Sequence, residues 1–137
     1  MPPTAGYSGT PLVTKLGIKE ASTLVLVAAP DGFDDTLGEL PPAVRVRRRL
    51  QGHADVAVCF VRRRAELDRR IDALGRSIHP EGAVWIAWPK KASKVPTDMT
   101  EDVVREVVLP RGLVDVKVCA IDEVWSGLKI MWRRERR

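Results

Sequence analysis

The sequence predicts an α/β fold: a three-layer sandwich with a mostly parallel sheet, helices on both faces and a C-terminal antiparallel hairpin. Three observations carry this. First, Thr23 to Ala29, Asp55 to Val61 and Ala83 to Trp88 are short runs, apolar at nearly every position, as strands covered on both faces must be. Second, segments with helical periodicity alternate with these runs, which is the pattern of a parallel sheet with crossover helices. Third, two further strand-like runs close the chain with only Asp122 and Glu123 between them. With 137 residues, 45% hydrophobic and 30% charged, the chain suffices for one core, so residues 1–137 are read as a single domain.

Residues 1–9 read as an irregular arm. Thr10-Pro11 then opens a short helix, with the threonine as N-cap, the proline at the first helical position, and Gly17 ending it. Thr23 to Ala29 is the first buried strand. Phe33, Leu37 and Leu40 follow at helical spacing and suggest a short helix before Pro41-Pro42. Val44 to Arg47 alternates strictly, so it reads as a strand with one wet face, near a sheet edge. After the buried strand Asp55 to Val61, Leu67, Ile71, Leu74 and Ile78 recur at i, i+4, i+7 and i+11, which predicts a helix over 64–78. A turn, His79 to Gly82, leads into the strand Ala83 to Trp88, and Lys90 to Asp98 is a polar loop. Thr100 is placed to cap a second clear helix, with Glu101 and Asp102 at its positive end and Val103, Val104, Val107 and Val108 toward the core. Gly112 stops it. Val114 to Ile121 and Val124 to Trp132 form the hairpin, with Val116, Val118 and Ala120 expected on one face.

Charge is distributed unevenly. Val44 to Arg70 holds nine arginines against Asp55, Glu66 and Asp68, and four more arginines lie within Arg133 to Arg137. Acidic residues gather in Glu20 to Leu40. A basic face of this kind is either solvated or attracts a polyanion such as nucleic acid. Only Phe60 interleaves the arginine runs, which argues against stacking of single strands. No apolar run reaches the length of a membrane helix, and the first residues have no basic and apolar leader pattern. Cys59 and Cys119 each sit in an apolar stretch and read as buried, reduced thiols. These features together read as a cytoplasmic protein with no membrane partner.

Two resemblances follow from particular residues. The turn His79-Pro80-Glu81-Gly82 before an apolar strand, and a strand that starts with Asp55, look like the fifth and fourth strands of S-adenosylmethionine-dependent methyltransferases; the closing hairpin is a feature of the same Rossmann-like fold. Separately, Gly6 to Leu12 with Lys15 to Ile18, then Trp88 to Ser93, and Gly112 to Asp115 running into Lys117 to Asp122 and Trp125 to Lys129, resemble a small bacterial family catalogued as domain of unknown function 3052. That second resemblance spans nearly the whole chain and implies no activity, cofactor or catalytic residue.

The chemistry of the motifs points away from cofactor binding. After the first strand the chain reads Ala28-Ala29-Pro30-Asp31-Gly32-Phe33, with one glycine, and Pro30 removes a backbone donor. The strand over 44–47 ends in Arg47-Arg48-Arg49 where a ribose-binding acid would stand. No dinucleotide or P-loop glycine motif occurs, and Asp31, Asp34 and Asp35 would repel a pyrophosphate. His53 and His79 have no zinc spacing, and no G-x-S-x-G marks a nucleophilic serine. The expectation is therefore no cofactor and no metal. Trp85 and Trp88 are expected on opposite faces of the sheet, as are Trp125 and Trp132, mostly as core.

Lysine use is the most informative remaining feature. Of seven lysines, Lys90, Lys91 and Lys94 share one loop after a buried strand, at the sheet edge where open α/β folds bind ligands. They are the predicted ligand-binding residues, with Tyr7, Ser8 and Thr10 of the arm and Asp122, Trp125 and Ser126 of the hairpin as neighbours; a solvated loop is the competing reading. Two function classes result. One is a non-catalytic module on a methyltransferase-like scaffold that binds an anionic ligand, nucleic acid or a partner protein. The other is a small methyltransferase or other nucleotide-cofactor enzyme.

Overall fold

The computed structural model describes residues 9–137. Its elements follow in the order α1 (Leu12–Leu16), β1 (Thr23–Val27), α2 (Phe33–Leu37), β2 (Arg45–Arg47), β3 (Val56–Phe60), α3 (Arg64–Ile78), β4 (Ala83–Pro89), α4 (Glu101–Val108), β5 (Leu113–Ala120) and β6 (Trp125–Trp132). The sheet runs β2-β1-β3-β4-β6-β5. β2, β1, β3 and β4 are parallel, and β6 lies antiparallel to both β4 and β5. The predicted α/β sandwich, mostly parallel with an antiparallel C-terminal pair, is the architecture of this chain. Among the described residues no helix is long and apolar enough to cross a membrane.

The all-apolar strands require cover on both faces, and each face receives its own helices. Leu67, Ile71, Leu74 and Ile78 of α3, with Val104, Val107 and Val108 of α4, lie on Val25, Ala57, Cys59, Val84, Ile86, Leu128 and Ile130. Each fully buried aliphatic side chain of this stripe contributes about 1.5–3 kcal/mol before chain entropy is subtracted. On the other face, Leu12 and Leu16 of α1 and Phe33 and Leu37 of α2 cover Leu24, Leu26, Val58, Phe60, Trp85 and Trp125. Trp85 and Trp88 do face opposite sides, since Trp88 belongs to the α3/α4 side.

Helix ends follow the sequence in part. Thr100 caps α4, its hydroxyl accepting from the Val103 amide at 3.1 Å. At α1 the expectation fails: the N-cap is Pro11, whose carbonyl takes the Thr14 and Lys15 amides, while Thr10 makes no cap. Pro11 sits at ψ 145, extended rather than helical, so the helix begins one residue later than its proline suggests. The α3 amides are taken by carboxylates instead of a capping hydroxyl. Glu66 accepts from Arg62 and Arg63 at 2.7 and 3.0 Å, and Asp98, from the loop over 90–100, accepts from Arg64 at 2.7 Å.

Two strands differ from their sequence pattern. All three residues of β2 are exposed, so the alternation in Val44 to Arg47 marks an edge strand wet on both faces. In β5, the outermost strand, the register slips between Asp115 and Lys117, a bulge at Val116; Val116 and Val118 are 48% and 52% exposed. The slip interrupts the simple alternation that would put Val116, Val118 and Ala120 on one face. Cys59 is buried, but Cys119 is only half-buried, because β5 is the outer strand of the sheet.

Candidate functional site at the carboxyl edge of the sheet

β1, β3 and β4 run in parallel, so their C-terminal ends share one edge. β1 connects outward to β2, whereas β3 connects through α3 to β4 on the other side. The gap between the ends of β1 and β3 is therefore the topological switch point, where loops diverge and leave a crevice. A cavity of about 230 Å³ lies there, lined by Ala28, Phe60, Arg62, Glu66 and Trp125.

Aromatic packing shapes this crevice. Phe33 and Phe60 meet edge to face at 4.9 Å, and Phe60 and Trp125 at 5.0 Å. The Arg62 guanidinium stands 6.0 Å from the centre of the Trp125 ring. The backbone at the crevice wall is turned at Ala28, whose φ is +57. An L-residue in that region costs about 1–2 kcal/mol, so an alanine holds a conformation that a glycine would take freely.

Charge in the crevice comes from the start of α3. Bonds from the Arg62 amide, and then from that of Arg63, hold the Glu66 carboxyl below its usual range; Arg70 and Arg69 act in the same direction. One turn further along α3, the Arg70 guanidinium lies beside the Cys59 thiol, which burial pushes up to about 11 against the lowering effect of Arg70. Cys59 pairs in register with Val27, the last residue of β1. Arg70 Nη1 is buried and has no hydrogen-bond partner among the described residues, the weakly accepting Cys59 thiol being the neighbour of this guanidinium. A buried donor without a partner is uncommon and costs about 1–3 kcal/mol. The i, i+4 run Arg62, Glu66, Arg70 after a buried strand was visible in the sequence, but it reads equally well as a solvated helix start.

The predicted site residues have varied positions. The Lys90 amide donates to the Val124 carbonyl at 2.6 Å, which brings the lysine loop against the hairpin turn. Lys91 begins a single 3₁₀ turn, and Lys94 ends it at φ +61; both are exposed. Asp122 Oδ1 accepts the amides of Val124 and Trp125, each at 2.8 Å, so this carboxylate holds the turn. Trp125 lines the crevice. Ser126, next along β6, points to the opposite face and pairs in register with Trp88 and Ala120. Thr10 is exposed ahead of α1. Tyr7 and Ser8 lie outside the described residues.

At the end of β2, Arg48 Nη2 contacts both oxygens of Asp34, at 3.0 and 2.9 Å. The pair joins this end of the sheet to the first turn of α2, beside a second cavity of about 180 Å³ lined in part by Leu26, Leu37 and Val46. It is exposed and adds little stability.

No protein-family model matches the chain, so the resemblance to the bacterial family rests on the quoted residues alone, and no curated protein matches either. Solved structures do match. A SAM-dependent methyltransferase from Aquifex aeolicus is similar with a TM-score of 0.65 at 15% identity, over 89% of this chain and 88% of that one. The Methanococcus jannaschii fibrillarin pre-rRNA processing protein gives 0.60 at 12% identity, over 91% and 70%. A putative type 11 methyltransferase from Sulfolobus solfataricus gives 0.59 at 12% identity, over 82% and 85%. At such identities the likeness is one of fold: this chain has the Rossmann-like fold of the S-adenosylmethionine-dependent methyltransferases.

Proposed function

We propose that this chain is a binding module on a methyltransferase-like scaffold, and that it holds a small anionic molecule in the crevice at the carboxyl edge of the sheet. The observation that carries this reading is Arg70 Nη1, a buried guanidinium donor with no acceptor among the described residues, beside Cys59 near the end of β3 and one helical turn from Glu66 of the cavity wall. Arg62 over Trp125 supplies a second cation at the mouth. Lys90, Lys91 and Lys94, in the adjoining loop, raise the local positive potential and draw the anion in. An oxyanion of a carboxylate or phosphate is the group that satisfies a guanidinium donor best.

A second reading is a small methyltransferase that uses S-adenosylmethionine. The solved structures of similar fold favour it, more than they favour the binding module. The local chemistry weighs the other way: Ala28-Ala29-Pro30 replaces a glycine-rich turn, and Arg48 bound to Asp34 replaces the ribose acid. Fold alone does not settle chemistry.

One experiment separates the two. Thermal shift and calorimetry compare S-adenosylmethionine with ATP, pyrophosphate and citrate. The binding module predicts stabilisation by an anion, abolished in Arg70→Met, and none by S-adenosylmethionine. Micromolar or tighter binding of S-adenosylmethionine overturns it in favour of the enzyme.

A further inference from the structure

The ion pairs of the described residues engage Arg48, Arg64, Arg105, Arg111 and His53 with carboxylates. Lys19, Lys90, Lys117 and Lys129 take part in none of them. Four of the lysines also converge on one surface. α1 is fastened to the sheet by Trp85, whose indole N–H donates to the Leu16 carbonyl at 3.0 Å. Trp85 pairs in register with Lys129 on β6, and Lys129 pairs with Lys117 on β5. Register partners share a face, so Lys129 and Lys117 continue outward from α1 on its own side of the sheet. Lys15 and Lys19 lie at the end of α1 and just beyond it. The fields agree with this geometry: desolvation and then Lys117 and Lys19 lower the Lys129 ammonium, and Lys15, Lys117 and Lys90 all act on the half-buried Cys119 between them.

Two like charges directly opposite on neighbouring strands repel, and no carboxylate of β5 or β6 occupies a register position on that face. A polyanion laid across the strands relieves that repulsion. Lysine is a mobile point charge that suits repeated single oxygens, without the paired geometry that arginine gives a carboxylate. No aromatic side chain among the described residues is exposed, so these residues offer bases no stacking platform, and the lysines favour contact with the phosphate backbone. We infer that this lysine face binds a double-stranded nucleic acid through its phosphate backbone, without sequence preference. The proposal is independent of the crevice and its ligand.

The test uses a fluorescent 20-base-pair duplex, as DNA and as RNA, in anisotropy titrations across a salt series. Neutralising Z phosphates gives a slope of about −0.9Z in log affinity against log salt. Lys117→Thr with Lys129→Thr is expected to flatten that slope by about two and to weaken binding roughly tenfold at low salt. Arg45→Ala with Arg47→Ala, on β2 at the far edge of the sheet, is the control and leaves both unchanged. Circular dichroism confirms that each variant is folded. No duplex binding at low salt, an unchanged slope in the lysine variant, or an equal loss in the β2 variant overturns the proposal. So does polyglutamate bound as tightly as the duplex, which would assign the face to an acidic protein. Preference for RNA over DNA, or the reverse, keeps the proposal and identifies the source of the backbone.

Discussion

The indole of Trp85 donates to the carbonyl of Leu16, 69 residues earlier in the chain, and both residues are fully buried. This bond holds the last turn of α1 on β4. Trp85→Phe keeps an aromatic ring but leaves the carbonyl without a donor, which costs about 1–3 kcal/mol, and removes the pyrrole half of a fully buried indole, which adds a cavity cost. Urea unfolding is expected to show that loss with an unchanged slope. A loss under 0.5 kcal/mol on the same scale as that penalty would mean the carbonyl finds water.

Gly82 and Gly127 both lie where a side chain has no room, for different reasons. A Cβ on Gly82 would stand 2.4 Å from the Ala54 carbonyl oxygen and 2.9 Å from that of Ile78, both backbone. On Gly127 it would stand 3.0 Å from Ile121 Cδ1 and 3.3 Å from Trp85 Cε3, both side chains. Side chains can give way more easily than a strand and a helix end. Gly82→Ala is expected to destabilise by more than the usual 1–3 kcal/mol of overpacking, and Gly127→Ala to fall within it. Chemical denaturation of the two variants side by side checks the order.

Those contrasts show what was legible in the sequence. Leu67, Ile71, Leu74 and Ile78 announce α3, and the runs at Val25, Val58 and Ile86 announce strands, because burial of a periodic stripe is a local pattern. The bulge at Val116 is not, since a register slip depends on what β6 offers across the sheet. The same holds for the site. Trp125 and Lys90 were within reach of the sequence because topology sends strand ends to one edge. Arg70 was not, because the lack of a partner for its Nη1 among the described residues depends on how α3 packs beside Cys59 of β3.

Burial pushes the Cys59 thiol from 9.0 up to about 11. The folded state keeps this proton where the unfolded chain has lost it. Stability therefore falls as pH rises through that interval, by up to about 1.4 kcal/mol per pH unit from this group. Below pH 9 the effect is absent. Cys59→Ala lowers overall stability through its cavity but is expected to flatten the dependence between pH 9 and 11 relative to wild type. Below that window, a thiol reagent should label Cys119 well before Cys59, since Cys119 is only half-buried.

β6 pairs along β4 from Val84 to Pro89, and Leu128 and Ile130 complete the core beneath α3 and α4. A chain ending at Gly112 loses those residues and leaves β4 as an open, fully apolar edge. The expected cost is several kcal/mol against a typical total of about 5–15 kcal/mol, together with a tendency to aggregate. Scanning calorimetry of the truncated chain should show no cooperative transition. A sharp transition from a soluble monomer would mean that the hairpin is dispensable.

Lys117 and Lys129 repel each other across the outer strands, so the face proposed to hold a nucleic acid is one the isolated fold would prefer to lose. Like charges directly opposite on a sheet cost about 0.2–1 kcal/mol, and threonine suits an exposed strand position. Lys117→Thr is therefore expected to stabilise the free protein and raise Tm by roughly 1–4 °C. Added salt raises the wild-type Tm toward that of the variant, because screening removes the same repulsion. A duplex reverses the order: at saturating duplex and low salt the wild type gains more than the variant, since ligand binding to the folded state adds to its stability. Differential scanning fluorimetry with and without duplex reads both effects. A variant that is less stable in free form, or that gains as much from the duplex as the wild type, would show that the two lysines are held by something other than an anion across the strands.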